Sequence, residues 1–401
     1  MEAPADVTWK GYSVAERDRR WTAVRKAAGE AGLDCIFVPL CVDPMQLYLS
    51  SDSKRGVRSD VRYLTQMENA AIVLPTDGRA PIVIDDRGRG NNWIADAGPA
   101  NRGMRGSWSS AMADALIELG MERARIGISG LTRGTYTHAR ANDGVINYSS
   151  YVEVMRRLPN ATFVNATDVL GRVRFVKGDE EIETFRRAVA IAEAGVEEMA
   201  AVARPGVDAA HLYSRVTVRL LELGSERHDW AMNLPDRNTN PPIGRRLRAG
   251  DYITNEVSAV WGSQLAQEDQ PILLGAVPEE WKPLIELQRQ LWHESLAVMR
   301  PGTSFGEVLD FISAFGPKHG VGTHVTCHSR GLGNEGPIVT PRTVGPNVRA
   351  VRLERGNTFV WKPSVESADG KHSYVWAGDV VVMEGGAEAL PKRPVDIISI
   401  T

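Results

Sequence analysis

The second half of this chain repeats one order of elements twice. In each copy a helix ends at a Pro-Gly break, a second helix follows, and strands come next. The breaks are Arg204-Pro-Gly206 and Arg300-Pro-Gly302, and helices are predicted over 178–195, 209–224, 279–299 and 305–316. A repeat of this kind predicts a pseudo-twofold domain with its site between the two halves.

The centre of that domain is predicted to be a β-hairpin within residues 249–275. Val257, Ala259 and Trp261 alternate with polar residues, and a turn is expected at Trp261-Gly262. Because strands hold side chains in fixed directions, polar residues on one face of the hairpin can converge on one point. Two later segments are expected to meet it, namely 323–335 and 356–363 followed by 377–382.

The first half of the chain has a different pattern, which predicts a small α/β domain ending near Leu170. Helices are expected over 14–31 and 109–120, and strands over 34–39, 70–75, 80–84 and 124–129. The expected domains are therefore residues 12–170 and 171–401, and the fold class of the whole is α+β.

Composition excludes several classes of function. A net charge of −3 over 401 residues argues against nucleic acid or an anionic membrane as the main partner. No apolar run reaches about 18 residues, so no membrane-spanning helix is predicted, and the N-terminus lacks a secretory signal pattern. Cys35, Cys41 and Cys327 have no metal-like spacing and suit a reducing cytoplasm, where we expect the protein to lie.

Seven short motifs stand in the second half of the chain. They are Arg174–Ile182, Ala190–Gly195, Arg204–Gly206, Arg248–Asp251, Arg300–Gly302, His328–Gly331 and Lys362-Pro363. Their order is that of the pita-bread, or M24-like, family, which includes creatinase, aminopeptidase P, prolidase and methionine aminopeptidase, and the chain resembles the creatinase branch of this family. The resemblance implies a creatinase-type N-terminal domain before a pita-bread domain. It also implies a homodimer in which residues 59–62 and 67–69 help close the partner's site.

The resemblance also implies where metal ligands would stand, because the family's peptidases hold two metal ions with two aspartates, a histidine and two glutamates. The matching positions are Asn255 or Glu256, Ala266, His328, Lys362 and Gly378, with Asp379 beside the last. A dinuclear site needs several carboxylates to offset four positive charges, and Lys362 would add another positive charge. No metal and no other cofactor is therefore expected.

Creatinase is the metal-free member, and the chain shares two of its features. Ala266 stands at the second aspartate position, and Glu268 matches the glutamate that binds the guanidinium group in creatinase. The chain departs from creatinase at three places. Thr239 replaces the general-base histidine before Asn240-Pro241, Glu335 stands at the family's second histidine, and Lys362 replaces an active-site glutamate.

These comparisons assign candidate roles to individual residues. Glu268, His328 and Lys362 are the candidate catalytic residues, with the Lys362 ammonium replacing the lost metal charge. Lys362 is expected at the end of a buried strand before Pro363, where its ammonium could pair with Glu256, Glu268 or Asp379. Substrate contacts are expected from Glu256, Trp230, Thr239, Glu335, Trp361, Trp376 and Asp379. The alternatives are a structural histidine at 328, a solvated charge at 268, core packing for the tryptophans, and either a salt bridge or a desolvated base at Lys362.

The expected function is metal-independent hydrolysis of a C–N bond, amide or amidino, in a small nitrogenous compound. A metal-dependent Xaa-Pro peptidase is the alternative within the hydrolases. Lyase chemistry and a non-catalytic, ligand-binding member of the fold stay open as further alternatives. A small molecule and a second copy of the chain are the only partners expected.

Overall fold

A computed structural model describes most of the chain. It covers residues 7–41, 56–67, 69–86, 88, 91–95, 100–104, 106–137, 143–226, 230–235, 237–239, 244–340, 344 and 346–401. The chain divides into two compact units, one formed by residues 11–175 with 332–336, and the other by residues 1–10, 176–331 and 337–401. Among the described residues, no helix has both the length and the apolar character needed to span a bilayer.

The N-terminal unit is the α/β layer that the sequence predicts. Its helices are α1 (Val14–Glu30), α2 (Gly56–Thr65), α3 (Asn92–Ala95), α4 (Trp108–Glu118), α5 (Tyr148–Arg157) and α6 (Thr167–Phe175). Its strands are β1 (Cys35–Val38), β2 (Ala70–Pro75), β3 (Ile82–Asp85), β4 (Ala100–Gly103), β5 (Arg125–Ile128) and β6 (Thr162–Asn165). They form one mixed sheet in the order β4-β3-β2-β1-β5-β6. Apolar strands such as Cys35–Val38 are buried throughout, as expected for a sheet covered on both faces.

Two buried acidic residues tie this unit together. Asp60 on α2 lies 2.6 Å from Arg174 Nε, and Glu335 accepts a hydrogen bond from the same guanidinium group. Ser129 also donates to Asp60. Ser59 and Asp60 had been expected to reach toward a partner subunit, but both are buried inside the unit and Asp60 is fully engaged there. Asp60 is therefore not available for a partner's site.

The C-terminal unit contains the two repeats as two pairs of helices. These are α7 (Asp179–Val202) with α8 (Ala209–Glu222), and α9 (Lys282–Val298) with α10 (Phe305–His319); a short α11 spans Pro346–Ala350. The Pro-Gly breaks separate the members of each pair, as predicted. Acidic residues in the first turn of α7 and a Ser304–Glu307 capping box at α10 show why these helices begin where they do.

Two sheets complete the C-terminal unit. One has the order β18-β11-β9-β7-β8, with β10 on β9; the other has the order β13-β12-β14-β16-β17, with β15 on β14. The strands of the first are β7 (Ala231–Leu234), β8 (Arg237–Thr239), β9 (Tyr252–Trp261), β10 (Gln264–Glu268), β11 (Ile272–Leu273) and β18 (Ile398–Ser399). Those of the second are β12 (Gly322–Arg330), β13 (Asn334–Val339), β14 (Thr358–Glu366), β15 (Ser373–Val375), β16 (Gly378–Met383) and β17 (Gly386–Ala389).

The predicted hairpin is present as β9 and β10, with its turn one residue later than expected. Gly262 and Ser263 form the turn, and both have positive φ angles, +56° and +66°. Two such residues make the tight turn that matches the twist of paired strands. Trp261 and Gln264 close the hairpin, and Val257, Ala259 and Ala266 pack into the core beneath α7.

Candidate active site

One face of the second sheet of the C-terminal unit carries three of the predicted site residues. On β14, Lys362 lies opposite Thr326 of β12, and Val360 lies opposite His328. Val360 also lies opposite Asp379 of β16. Directly paired residues point to the same side of a sheet, and side chains alternate along a strand. His328, Lys362 and Asp379 therefore share one face.

The hairpin supplies acidic and amide groups to Lys362. Ser258 pairs with Gln267 across β9 and β10, so alternation puts Glu256, Gln267 and Asp269 on a common face. Lys362 Nζ lies 2.9 Å from Glu256 Oε1 and 2.8 Å from Asp269 Oδ2. Gln267 Nε2 donates to Asp269 Oδ1 at 2.9 Å. We call Lys362, Glu256, Gln267 and Asp269 the Lys362 cluster.

The cluster is buried on one side and open on the other. The Lys362 side chain is 7% exposed, whereas that of Glu256 is 53% exposed. The cluster therefore contacts solvent on the side of Glu256. A lysine ammonium has three N–H groups, and the two carboxylates account for two of them.

The charges of the cluster keep Lys362 protonated. Burial alone would lower the pKa of Lys362, but the negative charges of Asp269 and Glu256, with their hydrogen bonds, raise it above its ordinary value. Burial raises the pKa of Asp269, and the nearby Lys362 only partly offsets that effect. The cluster thus pairs a permanent cation with a carboxylate of increased basicity, and Lys362 is not a free-base nucleophile.

Glu268 lies on the opposite face of β10 from the cluster. It shares that face with Ala266, which packs in the core against α7. Its carboxylate pairs with Arg393 and accepts the Asp379 backbone N–H at 3.2 Å. Burial raises the pKa of Glu268 to about 7, against the opposing charge of Arg393. Because Glu268 is fully buried and bonded to Arg393, the structure does not bring it to Lys362.

Arg393 fixes the junction between the two sheets. Its guanidinium group lies 4.2 Å from the centre of the Trp376 ring, and its Nη1 donates to Gln270 Oε1 at 2.9 Å. Beside it, the backbones of Asp269 and Ala377 exchange two hydrogen bonds, which join the end of β10 to the start of β16. No pattern in the sequence indicates Arg393, which lies 124 positions beyond Asp269.

Asp379 is fully buried beside the cluster. Its Oδ2 accepts the Gln267 backbone N–H at 2.6 Å, while its Oδ1 has no hydrogen-bond partner among the described residues. Burial, and then the charge of Glu268, raise the pKa of Asp379 well above its ordinary value. Through its bond to the Gln267 backbone, Asp379 joins β16 to β10.

The remaining polar candidates have different surroundings. His328 is half-buried, and its Nδ1 lies 3.4 Å from its neighbour's carbonyl oxygen at Ser329. Glu335 belongs to the N-terminal unit, where Arg174 binds it. Thr239 ends β8, and its side chain lies outside the description, as do Asn240 and Pro241. Of the three candidate catalytic residues, His328 and Lys362 share a face.

The three tryptophans are packing residues, which corrects the expectation that they wall a substrate pocket. Trp230 stacks on Tyr213 with ring centres 4.3 Å apart, and Trp361 donates to Ser295 Oγ at 2.8 Å beneath α9. Trp376 donates to Gln270 Oε1 at 3.1 Å. All three are fully buried, and β14 turns Trp361 to the side opposite Lys362.

The side chains around Lys362 do not fit the two metal ions that the fold family implies. Glu256 and Asp269 are engaged with the ammonium group, and the cluster has a charge of −1 when both carboxylates are ionised. Ala266 and the position of Gly378 face away, into the packing around α7 and Trp376. Within the part of the chain that the structure describes, no group of three or more His, Cys, Asp or Glu side chains is arranged to hold a metal.

The paired helices, the two joined sheets and the polar cluster on their inner face define a pita-bread scaffold. The Peptidase_M24 model, described as metallopeptidase family M24, matches residues 183–384, which is just over half of the chain. The chain therefore belongs to metallopeptidase family M24.

Solved structures with the same fold extend over almost the whole chain. Dipeptidase PepE from Mycobacterium ulcerans matches with a TM-score of 0.73 and 18% identity, covering 97% of this chain and 99% of that one. The Xaa-Pro dipeptidase from Bacillus anthracis matches with a TM-score of 0.71 and 18% identity, covering 96% and 99%. These likenesses confirm the two-part fold predicted from the sequence.

A similar sequence is methionine aminopeptidase 1 of Dictyostelium discoideum. It is 26% identical over 171 residues, which are 38% of this chain and 46% of that protein. The matched region thus spans about half the length of this curated relative.

Proposed function

We propose that this protein hydrolyses an amide-type C–N bond in a small, peptide-like molecule, and that the Lys362 ammonium supplies the positive charge at the reacting centre. The observation that carries this proposal is the position of Lys362 Nζ, within 2.9 Å of both Glu256 and Asp269. Family membership supports the bond class, and the cluster supports the absence of metal chemistry.

Lys362 is suited to bind the carbonyl oxygen of the substrate. Its third N–H can donate to that oxygen, and the donation strengthens as negative charge develops there during attack. The raised pKa of Lys362 keeps the ammonium charged throughout the neutral range. Because the group is almost fully buried, its charge is less screened by water than that of a surface lysine.

Asp269 is suited to activate the attacking water. Its raised pKa makes it a better proton acceptor than an ordinary aspartate, and exposed Glu256 marks the side from which water arrives. The water oxygen bonds to the carbonyl carbon, Asp269 takes one proton, and the C–N bond breaks as that proton passes to the leaving nitrogen. The products are a carboxylic acid and an amine, so every atom is accounted for.

The peptide-type bond is favoured over the amidino bond of a creatine-like substrate. The relatives and the solved structures named above are called aminopeptidase and dipeptidase. The residue expected to bind a guanidinium group, Glu268, is already paired with Arg393. A second, external guanidinium would have to displace that buried arginine.

A metal-dependent Xaa-Pro peptidase is the second candidate. It is favoured by the similar structures, which include an Xaa-Pro dipeptidase and the X-Pro aminopeptidase from Thermotoga maritima. The donor set around Lys362 opposes it, because an ammonium group stands where metal ions would need anionic ligands. A homodimer and a cytoplasmic location stay predictions of the sequence; light scattering tests the first and cell fractionation the second.

The deciding experiment combines metal analysis with a substrate panel. The purified full chain is analysed for zinc, manganese, iron and cobalt, and assayed on Xaa-Pro dipeptides, other dipeptides and creatine. We expect far less than one metal ion per chain, and dipeptide cleavage that survives a chelator. Cleavage that depends on about one or more bound ions per chain supports the second candidate. Failure to cleave any amide, with or without added metal, contradicts both and leaves ligand binding.

A further inference from the structure

The start of the described chain packs on the C-terminal unit. Residues 7–10 group with that unit, although residues 11–175 form the other one. We call residues 7–9 the N-terminal arm. Trp9 is half-buried and packs against the main hydrophobic core of the C-terminal unit. The arm is therefore part of the packing of that unit.

Two glycines leave room for the arm. A Cβ atom on Gly262 would lie 2.7 Å from Trp9 Nε1, and one on Gly224 would lie 2.5 Å from the carbonyl oxygen of Val7. Close-packed side-chain atoms do not approach so closely. The arm thus passes directly over Gly224, and the Trp9 ring lies against the turn of the β9–β10 hairpin.

This turn needs support from outside the hairpin. Gly262 and Ser263 both have positive φ angles, and such a conformation is unfavourable for serine. Strained backbone persists where the surrounding structure holds it in place. Here the Ser263 N–H donates to Glu226 Oε1 at 3.0 Å, and Trp9 covers the adjacent Gly262.

The turn determines whether the Lys362 cluster can form. Its two residues fix the register in which Ser258 of β9 pairs with Gln267 of β10. A slip of one residue would turn every side chain of β10 to the other face. Gln267 and Asp269 would then leave the face that carries Glu256, and Lys362 would lose one of its carboxylate partners.

We propose that the N-terminal arm is a strap, in which Trp9 keeps the β9–β10 turn closed and thereby holds Glu256 and Asp269 in register at Lys362. Trp9 acts through the hairpin, since Gly262 lies about 20 Å along β9 from Glu256 at the rise of an extended strand. It is therefore a positioning residue. The inference does not depend on the proposed hydrolase activity, because closure of the hairpin is measured without a substrate.

Hydrogen exchange of the full chain, read by mass spectrometry, tests the strap. In Trp9→Ala we expect peptides from residues 256–269 to exchange about tenfold faster or more, because the turn opens locally. Peptides from α9 and α10 should keep their rates. Unchanged exchange in the hairpin overturns the proposal. An equal increase in α9 and α10 also overturns it, since Trp9 would then contribute only to global stability.

Two further variants separate the ring of Trp9 from a general effect of substitution. Trp9→Phe keeps an aromatic ring against Gly262 and should restore most of the protection of residues 256–269. Trp108→Ala is the matched control, because Trp108 is also half-buried but packs on the core of the N-terminal unit. It should leave exchange in the hairpin unchanged. Equal acceleration of the hairpin in Trp108→Ala and Trp9→Ala would contradict the strap.

The reactivity of Lys362 tests the link from the strap to the cluster. When the hairpin opens, Lys362 loses the carboxylates that keep it buried and protonated. Acetic anhydride should therefore label Lys362 several-fold faster in Trp9→Ala than in the unmodified protein. Lys282, whose side chain is 57% exposed, is the internal reference and should react equally in both. Equal labelling of Lys362 in the two proteins overturns its dependence on the strap.

Discussion

At the scale of single residues, Lys362 determines what the candidate site can do. A buried ammonium group is tolerated only with anionic partners, and Glu256 and Asp269 provide them. The sequence predicted acidic partners for Lys362 from its place in a buried strand before Pro363. It named Glu256, Glu268 and Asp379 as candidates, and the structure selects Glu256 and adds Asp269.

Asp269 shows why the prediction of the site was incomplete. The resemblance to creatinase directed attention to Glu268, and no role was assigned to the next residue, Asp269. Alternation along β10 carries more information here, because it turns Gln267 and Asp269 to the face of Glu256 and turns Glu268 away. Arg393 could not be found in this way, since the pairing of residues far apart in the sequence is set by tertiary packing.

Substitution of Lys362 tests its role directly. Lys362→Met removes the charge and keeps much of the volume, so we expect turnover to fall by about 10²-fold or more, as for loss of an oxyanion donor. Lys362→Glu should also abolish turnover, and should lower the free energy of unfolding by about 3–5 kcal/mol, because it buries a third carboxylate beside two others. Neither variant should gain metal. Turnover, urea unfolding and elemental analysis measure these effects.

Lys282→Met is the matched control for these variants. Lys282 also forms an ion pair, with Glu279 at 2.5 Å, but its side chain is 57% exposed, and exposed pairs contribute little to stability. It should leave turnover and unfolding unchanged. Near-normal turnover in Lys362→Met would mean that the lysine is structural and that the proposed chemistry is wrong.

At the scale of elements, the β9–β10 hairpin places two segments of the cluster in register. The sequence predicted the strands from alternating apolar residues and recognised Gly262 as a turn residue. The exact turn was harder to predict, because Ser263, which is not glycine, also adopts a positive φ of +66°. Such a conformation is uncommon for serine and is imposed by the strands on either side.

Gly262→Ala should destabilise the hairpin for two reasons. The φ of +56° is unfavourable for alanine, and the added Cβ would lie 2.4 Å from Thr184 Cγ2 and 2.7 Å from Trp9 Nε1. We expect a loss of about 3 kcal/mol in the free energy of unfolding. The control Gly250→Ala has a φ of +85° but open space around its Cβ, so it should cost only about 1 kcal/mol. Equal losses in urea unfolding would contradict the steric explanation.

At the scale of the whole molecule, the fold could be predicted because the sequence repeats patterns that are typical of its helices and strands. The two helix pairs, the Pro-Gly breaks and the alternation of the hairpin are local features, and the solved structures named above confirm the architecture they predict. The domain boundary near residue 170 stays a prediction. Residues 332–336 belong to the second half of the sequence but group with the N-terminal unit, and no local pattern indicates this.

Buried carboxyls give the C-terminal unit a characteristic dependence on pH. Burial raises the pKa of Glu268 from 4.5 to about 7, and it raises the pKa values of Asp269 and Asp379 in the same direction. Between the ordinary pKa of each carboxyl, which applies in the unfolded chain, and its raised pKa in the folded chain, the folded chain binds more protons than the unfolded chain. Stability from these groups is therefore greatest at low pH and is lost as the pH rises through their raised pKa values, which is about 7 for Glu268.

The last prediction isolates Glu268 within that effect. Between pH 5 and pH 7.5, Glu268 should lower the free energy of unfolding by on the order of 2 kcal/mol, and Glu268→Gln should remove this part of the slope. Glu388→Gln is the control, because Arg186 binds Glu388 at the surface and lowers its pKa, away from this window. Urea unfolding at the two pH values measures all three proteins. The slope of stability against pH could instead be the same in Glu268→Gln as in the unmodified protein, or stability could rise with pH in the unmodified protein and not in Glu268→Gln. Either result would mean that Arg393 keeps Glu268 ionised at pH 5. The junction behind the Lys362 cluster would then be a permanent ion pair rather than a proton-binding group.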